Sequence, residues 1–161
     1  LKVVGGGPEL DKIVAAAAAV LFGVFQQPVF VVMYVGSVAT AAGDTLASEI
    51  GVTGGIPRLI TRLRQVAVGT NGGVTLTGGT VALFGSFGVS GVALLLQVIT
   101  PQMMAICTLA GFVGTNIDSV IGATIENRGF LGNAGTNLFA TLGGGIFAVT
   151  LYLILAGRIF S

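Results

Sequence analysis

"QVAVGTNGGVTLTGGTVALFGSFGVSGVALLLQVITPQMMAICTLAGFVGTNI", residues 65–117, contains no Asp, Glu, Lys or Arg. Two further stretches, residues 13–43 and 129–157, are equally free of charged residues. Each of the three can hold at least one apolar span of about 20 residues, the length that crosses the hydrocarbon core of a bilayer. We therefore predict an all-α fold, a polytopic membrane helix bundle.

The composition of the whole chain agrees with a membrane protein and excludes several kinds of chemistry. Of the 161 residues, 53% are hydrophobic and 8% are charged, against about 25% charged in soluble domains. The chain has no His and a single Cys, Cys107, which excludes His general bases and leaves zinc or disulfide sites without partners. The net charge of +1 predicts no nucleic-acid partner, because binding to a phosphate backbone needs clustered basic residues.

Breaks in the apolar pattern predict about five transmembrane helices in one membrane-embedded domain, residues 1–161. Pro28 and Pro101 mark two short breaks, because proline cannot continue the hydrogen bonding of a preceding helix. Residues 51–72 form the longest connection and carry three arginines. The predicted helices cover residues 10–25, 28–50, 73–99, 102–126 and 136–157. The third is long enough to be two pieces, an arrangement that would reverse the sides of the fourth and fifth.

Basic residues are expected at one membrane surface. If five helices alternate in direction, Arg158 falls on one side of the membrane and the other basic residues fall on the opposite side. The surface richer in Lys and Arg is the cytoplasmic one. The basic residues assigned to that surface are Lys2, Lys12, Arg58, Arg62, Arg64 and Arg128. We therefore predict an integral, multi-pass membrane protein with its functional site on the cytoplasmic side.

Carboxylates lie near the same predicted surface, in the second and fourth helices. Asp44 and Glu49 belong to one helix, and Asp118 and Glu126 to the other. A charged side chain that faces lipid at mid-span costs about 2.5 to 3.5 kcal/mol on translocon scales, so we expect these acids to face the bundle interior. Acids with hydroxyl and amide neighbours favour a hard cation such as Mg²⁺. Helix pairing or snorkelling of isolated carboxylates is the structural alternative.

The tripeptide Gly-Thr-Asn occurs three times, at residues 69–71, 114–116 and 135–137. Thr and Asn cap helix N-termini, whose N–H groups bind anions, and Gly lets the backbone approach closely. The first copy follows three arginines in "RLITRLRQVAVGTNGGVT", residues 58–75, which predicts a phosphate-binding loop. Ordinary helix caps are the alternative for the other two copies.

Four segments form a distinctive series along the chain: "GDTLASEIG" (43–51), "PRLITRLRQVAVGTNGGVTLTGGTVALFGS" (57–86), "GTNIDSVIGATIENRG" (114–129) and "NAGTNLFATLGGG" (133–145). In this order they resemble the transmembrane-protein-nineteen-like family of integral membrane proteins, which includes phytyl-phosphate kinases. The resemblance implies a membrane-embedded prenyl-phosphate kinase. Such an enzyme transfers a phosphoryl group from a nucleoside triphosphate, expected to be CTP, to an isoprenoid monophosphate such as phytyl phosphate.

Family members usually continue upstream with further spans and an Ala-Asn-Gly motif. "LKVVGGGPELDK", residues 1–12, contains no such motif, and the chain begins with Leu1 rather than Met. Either an N-terminal portion of a longer protein precedes this chain, or the site is less complete than in other members of the family.

The residue pattern and the resemblance together give a predicted site. Asp44, Glu49 and Asp118 are expected to be catalytic and to hold Mg²⁺. The acceptor is itself an anionic phosphate, so no strong general base is needed. The expected partners are the nucleoside triphosphate, the isoprenoid monophosphate and the lipid bilayer, and a homo-oligomer is left open. The residues expected to bind nucleotide and phosphate are Arg58, Arg62, Arg64, Thr70, Asn71, Gly72, Gly73, Asn116, Ser119, Asn133 and Asn137.

Two other functions remain open from the sequence. A CTP-dependent cytidylyltransferase that makes a CDP-lipid would use similar metal and nucleotide sites. A cation or metabolite transporter would explain acids within the membrane. The similarity of "GDTLAS" to "IDSVIGAT" would then be a degenerate internal repeat. The one-sided distribution of polar residues argues against the transporter.

Overall fold

The computed structural model describes residues 10–159 and consists of five α-helices with a small hairpin between the second and third. Of the helices described, α2 to α5 are long and apolar enough to cross a membrane, whereas α1, with 15 residues, is shorter. The predicted all-α membrane bundle is confirmed, with four candidate spans and one shorter apolar helix. Lys2 lies outside the described residues. The elements are α1 (Asp11–Phe25), α2 (Pro28–Gly51), β1 (Arg58–Leu59), β2 (Gly73–Val74), α3 (Leu76–Leu95), α4 (Pro101–Thr124), a 3-10 turn (Glu126–Arg128) and α5 (Asn133–Ile159).

The third helix differs most from its predicted bounds of 73–99. Residues 73 and 74 form β2, and Thr75 caps the helix by accepting a hydrogen bond from the Gly78 N–H at 3.0 Å, as short polar residues do at helix starts. The helix ends at Leu95, and Gln97 has a left-handed φ of 59°. The segment is therefore one helix, and α3 and α4 run in opposite directions. The fifth helix starts at Asn133 rather than at 136.

Helix α2 lies at the centre of the bundle and contacts α1, α3, α4 and α5. Small residues let these helices approach. A Cβ atom on Gly114 of α4 or on Gly144 of α5 would overlap the side chain of Thr40, and one on Gly111 would overlap that of Ser86. Close packing through small residues is the usual way in which helices associate inside membranes.

Buried hydroxyl groups at these crossings bond to backbone carbonyls. Thr40 Oγ1 donates to the Gly36 carbonyl at 2.9 Å, and Ser86 Oγ lies 2.8 Å from the Ala82 carbonyl and 3.2 Å from that of Ala39 in the neighbouring helix. Lipid offers no hydrogen-bond partner, so polar groups in the bundle need partners within the protein. The crossings therefore combine close contact with satisfied polar groups.

The chain direction brings four helix ends together. The C-termini of α2 and α4 and the N-termini of α3 and α5 lie at one end of the bundle, because successive long helices alternate in direction. The hairpin segment between α2 and α3 and the turn between α4 and α5 connect helices at this same end. Most of the polar residues named above are gathered there.

We predict that Gly114→Val destabilises the bundle by roughly 1 to 3 kcal/mol, the usual cost of overpacking a closely packed interior. The added side chain would enter the space that Thr40 occupies. Gly88→Val is the matched control, because a Cβ there meets nothing within 4 Å. Thermal unfolding of both purified variants in detergent measures the difference. Equal Tm values for the two variants would contradict the close crossing of α2 and α4.

Candidate functional site

A cavity of about 770 Å³ lies at the end of the bundle where the four helix ends meet. Helices α2, α3, α4 and α5 all contribute to its wall, and the segment from Val68 to Leu76 covers one side. Ligand sites in proteins are typically clefts of about 300 to 1,000 Å³. The cavity therefore has the size for a nucleotide or a comparable ligand.

Three carboxylates from different elements line this cavity. Asp44 comes from α2, Asp118 from α4 and Glu126 from the 3-10 turn. Asp118 lies close enough to the other two for their charges to act on it. The residues that line the cavity include no Lys and no Arg. The wall therefore presents acidic side chains and no basic one.

The first turn of α5 holds two of these acids in place. With its amide oriented so that nitrogen donates, Asn137 lies 3.3 Å from Asp118 Oδ1 and 3.1 Å from the Asn133 carbonyl. Thr136 Oγ1 donates to Glu126 Oε2 at 3.2 Å. The start of α5 thus fixes the positions of carboxylates that belong to α4 and to the turn after it.

A loop docked on α4 forms one wall of the cavity. Strands β1 and β2 pair antiparallel, and Arg58 also bridges to Gln65, so three short backbone segments lie side by side. The loop tip rests on α4, where Gly72 lies against Ser119 and Ala123. Asn127 Nδ2 donates to the Asn71 carbonyl at 3.0 Å.

Glycine is required at position 72 for two independent reasons. Its φ is +76°, in the region that side chains with a Cβ rarely adopt, and a Cβ atom would overlap Ala123. The loop can therefore sit on α4 only with glycine at its tip.

Most of the predicted site residues line the cavity. Asp44 and Asp118 do so from the neighbouring helices α2 and α4. The predicted phosphate-binding residues that line the cavity are Thr70, Asn71, Gly72, Gly73, Asn116, Ser119, Asn133 and Asn137.

Four predicted residues are not brought to the cavity: Glu49, Arg58, Arg62 and Arg64, whose side chains are exposed. Glu49 lies on a different face of α2 from Asp44, since five residues correspond to about 140° of helix rotation. In β1 the side chains alternate, so that Leu59 is buried and Arg58 points outward. Arg62 and Arg64 lie in the turn between β1 and Gln65.

Glu126 is the acid of the cavity that the predicted site omits. The fourth predicted helix includes Glu126, but only the turn after α4 brings it back toward α5. The second Gly-Thr-Asn copy also differs from expectation, because it lies within α4 and caps no helix. Its Asn116 Nδ2 donates to the Phe112 carbonyl of the same helix at 2.7 Å.

The donor set fits a magnesium ion that arrives with phosphate. Among the described residues no group of three His, Cys, Asp or Glu side chains is placed to hold a metal ion by itself. Mg²⁺ commonly uses one or two carboxylates, water and substrate phosphates, at oxygen ligands only. Asp44 and Asp118, with the amides and hydroxyls around them, match that pattern, whereas Glu49 does not join them.

A family model described as integral membrane protein DUF92 matches residues 11–145. The chain belongs to this family. The resemblance carried by the four sequence segments is thereby confirmed, as is an integral membrane protein with several spans.

Three relatives show how this DUF92 chain compares with known proteins. An uncharacterised membrane protein of Methanocaldococcus jannaschii is 37% identical over 76% of this chain and 51% of its own length. Protein PGR of Arabidopsis thaliana is 41% identical over 60% of this chain and 38% of its own length. The chloroplastic protein VTE6 of Arabidopsis thaliana is 34% identical over 73% of this chain and 37% of its own length. The chain therefore spans about half or less of these relatives, and no solved structure matches it.

We predict that Gly72→Ala releases the loop of this DUF92 chain from α4. Backbone amides at residues 57–74 should then exchange hydrogen roughly tenfold faster, which corresponds to a loss of about 1.4 kcal/mol. Gly69→Ala is the control, because Gly69 also has a positive φ, +84°, but a Cβ there meets nothing within 4 Å. Hydrogen exchange read by mass spectrometry measures both. Equal rates in the two variants would show that contact with α4 does not hold the loop.

Proposed function

We propose that this DUF92 chain carries the active site of a membrane-embedded, Mg²⁺-dependent kinase. It transfers the terminal phosphoryl group of a nucleoside triphosphate, with CTP the expected donor, to an isoprenoid monophosphate. The observation that carries the proposal is a cavity with three carboxylates and no basic residue, placed at the end of a bundle of membrane-spanning helices. The sequence resemblance to a family that includes phytyl-phosphate kinases supports the class of acceptor.

The charge of the cavity favours a nucleotide that enters as its metal complex. Two like charges 4 Å apart repel by about 4 kcal/mol at an effective dielectric constant of 20. A bare triphosphate would meet this repulsion from the ionised carboxylates of the cavity. Mg²⁺, when bound, would supply positive charge between the carboxylates and the phosphates. Asp44 and Asp118 are the residues that would hold it.

The amides and hydroxyls around the acids would orient the phosphates. Asn116, Asn133 and Ser119 all line the cavity close to the carboxylates. Amide and hydroxyl groups donate hydrogen bonds to phosphate oxygens without adding charge. The hydrogen bond from Asn137 fixes Asp118, so the distance between metal and phosphate would depend on the first turn of α5.

The transfer needs no strong general base. An oxygen of the acceptor phosphate attacks the terminal phosphorus, and the bond from that phosphorus to the bridging oxygen breaks. The nucleoside diphosphate leaves with the electron pair. A phosphate monoester has a second pKa of about 6 and is mostly dianionic near pH 7. Positioning and charge neutralisation provide most of the catalysis of such transfers, which suits a chain without His.

We assign the cavity end to the cytoplasmic side of the membrane. Arg58, Arg62, Arg64 and Arg128 are exposed there, whereas Arg158 lies in the last turn of α5 at the opposite end. An excess of Lys and Arg marks the cytoplasmic side of membrane proteins. The exposed arginines would thus orient the bundle from outside the cavity, and nucleotide would reach the acids from the cytoplasm.

The packing of the other half of the bundle disfavours the transporter. Beyond the contact of Ser86 with Gly111, a cluster of buried apolar residues packs between the helices, with the small buried hydroxyls of Ser37 and Ser90 and without a charged residue. Transporters place their binding sites near the bilayer midplane, between halves of the fold that move against each other. The cavity here instead lies where the helix ends meet the loop. The buried members of the cluster are Val32, Val35, Ile99, Ile106, Cys107, Ala110 and Ala148.

We predict that Asp44→Asn and Asp118→Asn each lower the rate of phosphoryl transfer by roughly a hundredfold or more, the scale on which single electrostatic groups act in active sites. Glu49→Gln is the matched control, because Glu49 is an exposed acid on the same helix as Asp44. Formation of nucleoside diphosphate by purified protein in detergent or liposomes gives the rates, and Tm checks folding. Rates within a few-fold of the wild type in the aspartate variants would remove these residues from the site.

The products separate the kinase from the cytidylyltransferase. With CTP labelled in the base and with phytyl phosphate as acceptor, we expect labelled CDP and unlabelled phytyl diphosphate. A cytidylyltransferase would instead release pyrophosphate and transfer the label to a CDP-lipid. Omission of Mg²⁺ should stop either reaction. Labelled CDP-lipid as the product would overturn the kinase proposal while leaving the metal site intact.

A further inference from the structure

The cavity changes from polar to apolar with depth in the bundle. Asp118 lies six residues from the C-terminal end of α4, and Phe112, which also lines the cavity, lies six residues further in. Six helical residues correspond to about 9 Å. On α3 the lining continues from Leu76 to Leu83, about 10 Å along that helix. The deep end of the cavity is thus bordered by large apolar side chains.

This deep end lies between α3 and α4, at the outer surface of the bundle. The two helices touch where a Cβ on Gly111 would overlap Ser86, and Leu83 and Phe112 lie on the cavity side of that contact. Leu83 is 40% exposed although it lines the cavity. Both helices are candidate membrane spans, so the exposed side of Leu83 faces lipid.

Open space is present at the same place on α3. Gly79 lines the cavity, and a Cβ atom there would meet nothing within 4 Å. Leu83 is the fourth residue after Gly79, so the two lie on one face of α3. Gly79 therefore leaves open space on the face of α3 that lines the cavity and carries Leu83.

We propose that the passage lined by Gly79, Leu83 and Phe112 holds the apolar chain of the lipid acceptor and selects its size. This inference depends on the proposed function, in which the acceptor phosphate lies beside Asp44 and Asp118. A lipid monophosphate would match both ends of the cavity, because its phosphate would bind through Mg²⁺ beside the acids and its tail would contact the large apolar side chains. The tail would leave sideways between α3 and α4, so that a long chain remains in the bilayer while its phosphate reacts.

The test narrows the passage without disturbing the fold. Gly79→Phe places an aromatic ring in the open space. Gly88→Phe is the matched control, because Gly88 lies nine residues further along α3, on the opposite face, and a Cβ there also meets nothing within 4 Å. Both variants are compared with the wild type for Tm, for nucleotide KM and for kcat/KM with geranylgeranyl monophosphate and with dimethylallyl monophosphate.

We expect Gly79→Phe to lower kcat/KM for geranylgeranyl monophosphate by roughly tenfold or more, the scale on which apolar pockets discriminate between substrates. The nucleotide KM and the turnover of dimethylallyl monophosphate should remain within about twofold of the wild type, and Gly88→Phe should change none of these quantities. An equal loss of kcat/KM for the long and the short acceptor, or no loss for either, would contradict the proposed passage.

A binding experiment separates failure of the passage from failure of the proposed kinase. A prenyl monophosphate with a photoreactive group at the end of its chain is cross-linked in liposomes, and the labelled peptides are mapped by mass spectrometry. Label on residues 76–87 of α3 and 105–112 of α4, reduced in Gly79→Phe, supports the passage even if no acceptor is phosphorylated. Label confined to α1 or α5, or unchanged in Gly79→Phe, would overturn it.

Discussion

Acidic side chains can remain in a membrane bundle only where the protein gives them a polar environment of their own. A carboxylate that faces lipid costs several kcal/mol, so Asp44 and Asp118 require neighbours that admit water, ions or hydrogen-bond donors. The close approach of α2, α3 and α4 creates that environment. It centres on Gly43, where a Cβ atom would lie 2.7 Å from Ser86 Oγ and 3.1 Å from Thr115 Oγ1. The glycine directly before Asp44 thus sets how near the two acidic helices come.

The loop between α2 and α3 turns this acidic helix junction into a cavity. Without the loop, the ends of α2 and α4 would present their carboxylates on an open surface. The contact of Gly72 with α4 and the hydrogen bond from Asn127 to the Asn71 carbonyl fix the loop across that opening. The wall so formed is made of small residues and backbone. It therefore closes the space without adding charge beside the carboxylates.

Much of the fold follows from local sequence signals. The charge-free stretches and the breaks at Pro28 and Pro101 are enough to place the long helices, because the bilayer demands continuous apolar segments. The inward direction of Asp44 and Asp118 follows from the cost of exposing charge to lipid. These are strong energetic constraints that act on single helices, so a single sequence reveals them.

The choice between Glu49 and Glu126 depends on contacts between distant segments. Both acids lie near helix ends, where either could reach water, and only the return of the chain at the 3-10 turn brings Glu126 against Thr136 of α5. The hairpin is equally hard to predict, since its strands have two residues each. Strands this short cannot show an alternating pattern of apolar and polar residues in the sequence. The positions of the loop arginines depend on that hairpin. For this reason the sequence predicted a phosphate-binding loop with arginines where the structure has an acidic cavity.

The separation of acids from arginines has a chemical consequence for the order of binding. Three of the chain's six acidic residues line one cavity, and the arginines of the adjacent loop point away from it. A site lined by arginines would bind a phosphate before it binds a metal ion. An acidic cavity does the reverse, because it attracts cations and repels free phosphates until a cation is present. In the proposed kinase, a metal ion would therefore bind before the nucleotide, and the neutral glycine, asparagine and threonine residues of the wall would position the phosphates.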